Sequence, residues 1–453
     1  CVNASFYGST DNTTWTKLYT ITNTPSAGSI TVAALDDLAG SYRYIKYAVP
    51  EGDSSANCNI AEIKLYGTMS GISEKIAYYK GLTDGKTYSE KTKAAFDAAM
   101  AAAQALVDDH STDRVKLRDA AYALEDAYNA LVEVGEKSSF SGVDGTVMYD
   151  TEGNVIQAHG GQIQQITYDY DYDGNGTIDD DEHTFWYWVG EDKTNDYRPC
   201  PGVRAYISKD RYNWKDMENV IKTATDWEEF TTDSYFTDLY GSAGLTKEEA
   251  KANGLWDIYA DLWKGEYSDE GCVIERPKML YNDKTKKYVI WFHADGQTPE
   301  STGGNYAKAK AGVAVSDSPF GPFKLQGSYL LNCDENADHG FDSEGGHVRD
   351  MNLFKDEDGT AYVLYSSDGN HTMHIAKLND EYTNVAKKQG EAVEGVDFSR
   401  NFVDESREAP AMFKYNGKYY LMTSGCTGWY PNQASYAVAD SPLGPFTTVG
   451  DPC

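Results

Sequence analysis

The chain has 453 residues, 40% of them hydrophobic and 13% aromatic, and a formal net charge of −31. That length exceeds one ordinary domain and predicts two to four. The charge excludes nucleic acid and anionic membrane surfaces as partners, because both would repel it. The 35 tyrosines and 9 tryptophans suit strands, and they also suit stacking on the rings of a neutral ligand.

Uninterrupted apolar runs of about 18 residues are absent, so no membrane-spanning helix is expected. The chain opens mid-pattern, with Val2-Asn3-Ala4-Ser5-Phe6-Tyr7 already alternating as a strand and no basic-then-apolar leader, and it reads as a fragment of a longer precursor. Its seven cysteines (Cys1, Cys58, Cys200, Cys272, Cys333, Cys426, Cys453) contain no CxxC pair, which argues against zinc. An odd number leaves at least one without a partner in the chain.

Residues 1–69 are strand and turn. Tyr42-Arg43-Tyr44-Ile45-Lys46-Tyr47-Ala48-Val49 alternates with period two, and Ile60-Ala61-Glu62-Ile63-Lys64-Leu65-Tyr66-Gly67 closes the run. With the Ser9-Thr10-Asp11-Asn12 loop leading to Trp15, this resembles the C-terminal half of discoidin-type domains, which include family 32 carbohydrate-binding modules. The resemblance implies part of a β-sandwich, either sugar-binding or a spacer.

Residues 70–136 switch to helical spacing. Phe96, Met100, Ala103 and Val107 form one stripe, and Leu117, Ala121, Leu124, Tyr128 and Leu131 form a second. The break is His110-Ser111-Thr112-Asp113, and a shorter helix around Ile72, Ile76 and Tyr79 precedes both. This looks like the three-helix spacer repeats in surface proteins of Gram-positive bacteria, and it implies an extracellular, secreted or cell-surface location.

Residues 137–453 are strand-rich and repetitive. The segment from Gly312 to Phe323 recurs from Tyr436 to Phe446, both carrying an Asp-Ser-Pro edge. Three strand starts pair an acid with an arginine: Glu275-Arg276-Pro277-Lys278, Arg349-Asp350-Met351-Asn352 and Arg407-Glu408-Ala409-Pro410. Aligning Met279, Leu353 and Met412 puts Glu275 and Glu408 at one position, with Asp350 one residue further in. Four short strands per unit predict a β-propeller, with four blades counted in this chain, the first starting near Val155, whose strand starts can bring these carboxylates towards an axis. Converging carboxylates are the equipment of glycoside hydrolysis.

An insertion in the first unit has its own chemistry. Asp171-Tyr172-Asp173-Gly174-Asn175-Gly176-Thr177-Ile178-Asp179-Asp180-Asp181-Glu182 fits the calcium-loop pattern D-x-[DN]-x-[DN]-G-x-I-D-x-x-E. Asp171, Asp173, Asn175, Thr177, Asp179 and Glu182 are the expected ligands of a structural Ca²⁺, with a solvated acidic hairpin tip as the alternative.

Six ordered motifs carry a further resemblance: Gln157-Ala158-His159-Gly160-Gly161, Trp186 to Glu191, Glu275 to Lys278, Arg349 to Phe354, Arg407 to Phe413, and Ser424 to Trp429. Together they resemble glycoside hydrolase family 43, and within it the exo-β-1,3-galactanase branch. This implies a five-bladed propeller that needs no catalytic cofactor and acts with inversion on a polysaccharide or glycoprotein glycan. The last blade would then lie beyond Cys453.

The implied roles follow the motifs. Glu408 would be the general acid and Asp350 its modulator; Glu275 would be a ligand for sugar hydroxyls or, alternatively, the base. Gln157, His159, Glu191, Tyr306, Asn370, Thr427 and Trp429 would line the galactose pocket. Most of the family carries an aspartate base in the first blade, where this chain has Gln157-Ala158-His159; in the galactanase branch a glutamine of the last blade is discussed for that role. Arg276, Arg349 and Arg407 could be structural partners of the acids, His159 a core residue, and Trp186 and Trp188 propeller core. Furanosidase activity on arabinose or galactose ends, and a non-catalytic adhesin, remain rival readings.

The expected architecture is therefore a multidomain, mainly β chain. It comprises a partial β-sandwich (1–69), a three-helix linker domain (70–136) and a five-bladed β-propeller truncated at its C-terminal blade (137–453).

Overall fold

The computed structural model describes residues 2–9, 11–24, 32–33, 42, 44–49, 72–135, 147–267, 270–301, 306–331, 345–428 and 430–450. It divides into two compact units, Cys1–Tyr79 with Ala103–Tyr122, and Lys80–Ala102 with Ala123–Cys453.

The first unit contains a three-stranded antiparallel sheet of β1 (Ser5–Ser9), β2 (Thr16–Thr20) and β3 (Tyr44–Ala48) in the order β2-β1-β3. The expected closing strand from Ile60 to Gly67 lies outside the described residues. Three helices follow: α1 (Ile72–Thr83), α2 (Glu90–Asp108) and α3 (Arg114–Asn129). Their stripes bury Ile76, Tyr79, Phe96, Ala103 and Leu124. Two short strands, β4 (Thr87–Tyr88) and β5 (Glu133–Val134), pair across the ends of this segment.

Four four-stranded antiparallel sheets make up most of the second unit. Blade one is β6 (His159–Thr167), β7 (Thr184–Glu191), β8 (Gly202–Ser208) and β9 (Lys215–Lys222). Four helices follow it: α4 (Trp227–Thr232), α5 (Ser234–Tyr240), α6 (Lys247–Asn253) and α7 (Leu255–Leu262). Blade two is β10 (Cys272–Asn282), β11 (Lys287–Gly296), β12 (Lys310–Ser316) and β13 (Lys324–Tyr329). Blade three is β14 (Met351–Lys355), β15 (Ala361–Ser367), β16 (Thr372–Lys377) and β17 (Phe398–Asn401). Blade four is β18 (Arg407–Tyr415), β19 (Lys418–Gly425), β20 (Ala434–Ala439) and β21 (Thr447–Gly450).

The second strand of each inner blade is buried on both faces, so it reads as a continuous apolar run. In β11, Ile290 and Phe292 join the core shared with blade one, while Val289 and Trp291 join the core shared with blade three. In β15, Val363 and Tyr365 face blade two, and Leu364 faces Leu421 and Ala437 of blade four. Alternation with period two thus stacks consecutive blades. The innermost strands are tied side chain to backbone. Met279 N–H donates to Gln162 Oε1 (2.8 Å), Lys355 Nζ to Tyr281 O (3.0 Å) and Asn352 Nδ2 to Pro410 O (2.8 Å).

The helical insertion is not anticipated by the strand-rich reading of this region. Its signals are local: Asp226 caps α4, Thr246 and Glu249 form a capping box on α6, and Gly241 and Gly254 close α5 and α6 at φ 68° and 80°. Phe230, Phe236, Trp256, Tyr259 and Leu262 bury themselves in the core that joins blades one and two. The short helices escape a periodicity search because few of them complete two turns.

Candidate active site

Three of the four innermost strands carry a β-bulge at the same place. Pairing runs His159 with Glu191 then Gln162 with Val189, Glu275 with His293 then Lys278 with Trp291, and Glu408 with Ser424 then Ala411 with Met422. Each bulge holds one residue in the left-handed region: Gly160 (φ 58°), Arg276 (φ 53°) and Ala409 (φ 50°). β14 has no bulge, and Asp350 immediately before it sits opposite Ser366 through Ser366 N–H to Asp350 O (2.9 Å). The one-residue offset of Asp350 in the sequence alignment is therefore the missing bulge. Glycine is required beside it in blade one: a Cβ on Gly160 would lie 2.5 Å from Glu191 Oε1, and one on Gly190 2.2 Å from the Ala158 carbonyl carbon.

The bulges aim backbone donors at the carboxylate of the preceding blade. Arg276 N–H donates to Glu191 Oε1 at 2.8 Å, and Ala409 N–H donates to Asp350 Oδ2 at 2.9 Å. The Arg276 guanidinium grips Asp350 with both arms, Nε to Oδ1 at 3.0 Å and Nη2 to Oδ2 at 2.8 Å. Glu191 is buried and further held by His159 Nδ1 (3.1 Å) and Lys193 Nζ (3.0 Å).

Glu275 faces a cation across its own sheet. His293 Nδ1 lies 3.0 Å from Glu275 Oε2, and His293 Nε2 lies 2.8 Å from Asp295 Oδ2. Burial disfavours the imidazolium, yet the bonds to Asp295 and Glu275 and their charges win and push it up to about 9. Burial likewise raises Glu275, but the hydrogen bond and charge of His293 and the Tyr306 hydroxyl outweigh it and bring it down to about 2. Tyr306 donates to Glu275 Oε1 at 2.8 Å and sits 3.0 Å from the hydroxyl of Tyr197.

Glu408 has the opposite environment. Its Oε1 accepts Asn370 Nδ2 at 2.8 Å. Burial and the nearby Asp350 charge raise its carboxyl above the usual range, against Arg276, the Cys426 thiol and Arg349, which lower it. The same carboxylates, after burial, push the Cys426 thiol up to about 12, so the sulfur stays protonated as a donor beside Glu408. A half-buried, raised carboxyl next to an anchored carboxylate is the pairing in which one acid holds its proton more tightly than the other.

Residues 277–451 match the family model described as glycosyl hydrolases family 43. The chain carries a family 43 domain. A β-xylosidase from Xylanibacter ruminicola is 30% identical over 235 residues, 45% of this chain and 62% of that protein. A xylosidase/arabinosidase from Bacteroides ovatus is 26% identical over 233 residues, 42% of this chain and 63% of that protein. The chain thus spans less than two thirds of the length of these curated relatives. Among solved structures, an exo-β-1,3-galactanase from Clostridium thermocellum is 30% identical, covering 68% of this chain and 51% of its own, at a TM-score of 0.47.

Within the family 43 domain and the strands before it, most of the expected pocket residues come together. They fall into three hydrogen-bonded groups, His159–Glu191–Arg276–Asp350, His293–Glu275–Tyr306 and Asn370–Glu408, which adjoin along the chain at Glu275-Arg276 and through Ala409, next to Glu408, on Asp350. Gln157 is anchored beside them, its N–H on Tyr206 Oη (2.8 Å) and its Oε1 accepting Lys193 N–H (3.2 Å). Thr427 is exposed and bonded within its own loop, to Tyr430 O (2.5 Å) and Asn432 Nδ2 (2.6 Å). Trp429 lies outside the described residues. Of the three arginines, Arg276 pairs with one of the acids; Arg349 donates to Tyr306 O (3.2 Å) and Arg407 pairs with Glu405 (2.7 Å). Trp186 and Trp188 pack with Tyr206 and Trp214 in the core of blade one.

Sequence reasoning missed His293, Asp295, Tyr197 and Lys278. The signal for the first two was two polar residues at alternate positions ending the apolar run Val289-Ile290-Trp291-Phe292. Tyr197 sits in an irregular loop with no periodicity to reveal it.

The acidic loop between β6 and β7 brings carboxylate oxygens of Asp171, Asp173 and Glu182 within 4.8 Å of one another. Asp171 accepts the N–H groups of Gly174, Asn175 and Gly176, and Glu182 accepts those of Tyr172 and Asp179 while pairing with Lys209 at 3.3 Å. Asn175, Thr177 and Asp179 form the exposed tip, joined by Asn175 Nδ2 to Asp179 Oδ2 (3.1 Å). An all-oxygen donor set of this charge fits Ca²⁺.

Proposed function

We propose that this chain belongs to an exo-acting, inverting glycoside hydrolase that releases galactose from β-1,3-galactan of arabinogalactan-type glycans. The observation that carries the reading is the Glu408–Asp350 pair. Glu408 is the general acid that protonates the leaving oxygen, its carboxyl raised by burial and by Asp350. Asp350 stays in place as a modulator because Arg276 and the Ala409 N–H hold both of its oxygens. Glu275, His159, Glu191, Tyr306 and Asn370 supply acceptors and donors for the hydroxyls of a terminal sugar, with Gln157, Thr427 and Trp429 assigned to the same pocket by their motifs. No catalytic cofactor enters this chemistry, and the calcium loop is assigned a structural Ca²⁺. The discoidin-like and helical segments support placing the protein outside the cell, attached to or released from the surface of a Gram-positive bacterium.

A second reading keeps the mechanism and changes the sugar. The curated relatives are named xylosidases and arabinosidases, which favours a pentose-end hydrolase. The test is turnover of β-1,3-linked galactotriose against aryl arabinofuranoside, galactofuranoside and xyloside by the full-length protein and by its Glu408→Gln variant. Galactose release that falls roughly 10²–10⁴-fold in Glu408→Gln is expected. Release of pentose alone would support the second reading, and sugar binding without turnover by the wild type would make the protein an adhesin.

A further inference from the structure

Lys278 follows the bulge of β10 and is buried, 4% exposed, among the groups that hold the site. Its counterparts in the other bulged strands are Gln162 and Ala411. The ammonium donates to Gly160 O at 2.7 Å and to Arg276 O at 3.1 Å. Both acceptors belong to the residues held at positive φ in two different blades. A bulge leaves a carbonyl without its ladder partner, and a left-handed conformation at a non-glycine residue costs about 1–2 kcal/mol. Lys278 gives the two bulges one shared donor.

Arg276 is the residue this crosslink holds. Its backbone N–H reaches Glu191 and its guanidinium grips Asp350. Keeping a buried amine on two neutral carbonyls is costly: burial and the Arg276 cation bring it down to about 7, against the Glu191 and Asp350 charges. A methionine or leucine would fill the volume without that penalty, so a structural filler does not account for the residue.

We propose that Lys278 is a positioning residue: by clamping the bulges of β6 and β10 together it keeps the Arg276 guanidinium on Asp350 and so sets the protonation of Glu408. The proposal rests on the assignment of Glu408 as the acid. The groups facing Glu408 are Asp350, Arg276, Arg349, Cys426 and Asn370. Of these, Arg276, Cys426 and Arg349 lower its carboxyl, Arg276 the most, and Arg276 is the one whose backbone Lys278 holds.

Two measurements on the full-length protein test it. In the crystal structure of Lys278→Met, Arg276 is expected to leave Asp350; a guanidinium still bidentate on Asp350 overturns the proposal. In kinetics on β-1,3-linked galactotriose, Lys278→Met is expected to lose kcat on the order of 10- to 100-fold, with KM within about twofold. The basic limb of its pH profile should move upward, because the cation that lowers Glu408 has receded. Lys278→Gln, which retains an N–H for one carbonyl, should recover part of the rate. Arg276→Met removes the guanidinium without touching the clamp and should move the limb the same way. A fall in kcat with the limb unmoved in both variants means plain structural damage and overturns the proposal. Wild-type inactivity on every glycan would sink the hydrolase reading, while the crystallographic result would still decide the clamp.

Discussion

Replacing His293 by glutamine removes the cation that Glu275 and Asp295 share. His293 rises from 6.5 to about 9 in the folded protein, and at 1.36 kcal/mol per pH decade this is worth about 3 kcal/mol. Glu275 falls from 4.5 to about 2 through the same imidazole together with Tyr306 and Lys193, so its shift is not added to that of His293, which Asp295 and Glu275 raise between them. The side chains are 2% and 13% exposed, which leaves little room for solvent screening. For the histidine, the folded state binds its proton more tightly, so this stability is complete below pH 6.5 and is lost as pH rises towards 9. For the glutamate, the corresponding stability is complete above pH 4.5 and is lost as pH falls towards 2. Lys278, lowered from 10.5 to about 7, has the opposite slope above pH 7, so the informative quantity is the difference between wild type and variant. Urea unfolding followed by tryptophan fluorescence from pH 5.5 to 9.5 measures it. The gap between wild type and His293→Gln should shrink by about 3 kcal/mol across pH 6.5–9. A constant gap would refute the claim that a charged imidazole stands between Glu275 and Asp295.

Two further outcomes follow from the geometry. Native Cys426, whose thiol is pushed up to about 12, should resist iodoacetamide at pH 8 and label fully once unfolded, read by intact mass; Cys426→Ser keeps a donor beside Glu408 and should retain activity within about tenfold. Isothermal titration of the chain with CaCl₂ should show binding that raises the melting temperature and that Glu182→Gln weakens at least about tenfold; no heat in the wild type would make the loop a solvated tip.

Much of the blade pattern was legible because it rests on local signals. The tyrosine-rich second strands, the hairpin turns and the Asp-Ser-Pro edges each specify a strand and its neighbour. The equivalence of Glu275 and Glu408 was legible for the same reason, and the one-residue offset of Asp350 already encoded the bulge. What sequence could not supply was which residue stands across the sheet from each acid. That depends on register set after the bulge, and on loops: His293 reaches Glu275 from the next strand, Tyr306 from a loop 31 positions away, and Arg276 reaches Asp350 across 74 positions. The insertion between Trp227 and Leu262 was hidden for a different reason, since its helices are short and stabilised by burying aromatics on the propeller rather than by periodicity of their own.

Those cross-strand neighbours divide two residues that the repeat makes equal. Glu408 stands opposite Ser424, which brings no charge, so burial and Asp350 dominate and raise its carboxyl. Glu275 stands opposite His293, and the imidazolium fixes it as an anion. Blade one inverts the pair, with His159 in the acid's slot and Glu191 across from it. A carboxylate at about 2 is a weak proton acceptor near neutrality, because a base works best when its pKa approaches the working pH. Its two oxygens are also already engaged by His293 and Tyr306. Glu275 therefore fits a fixed acceptor for substrate hydroxyls better than a base for water. Asn in place of His293 would remove the cation and let Glu275 rise towards the ordinary range, so any base activity of Glu275 should increase in that variant; a fall in kcat there would count against Glu275 as the base.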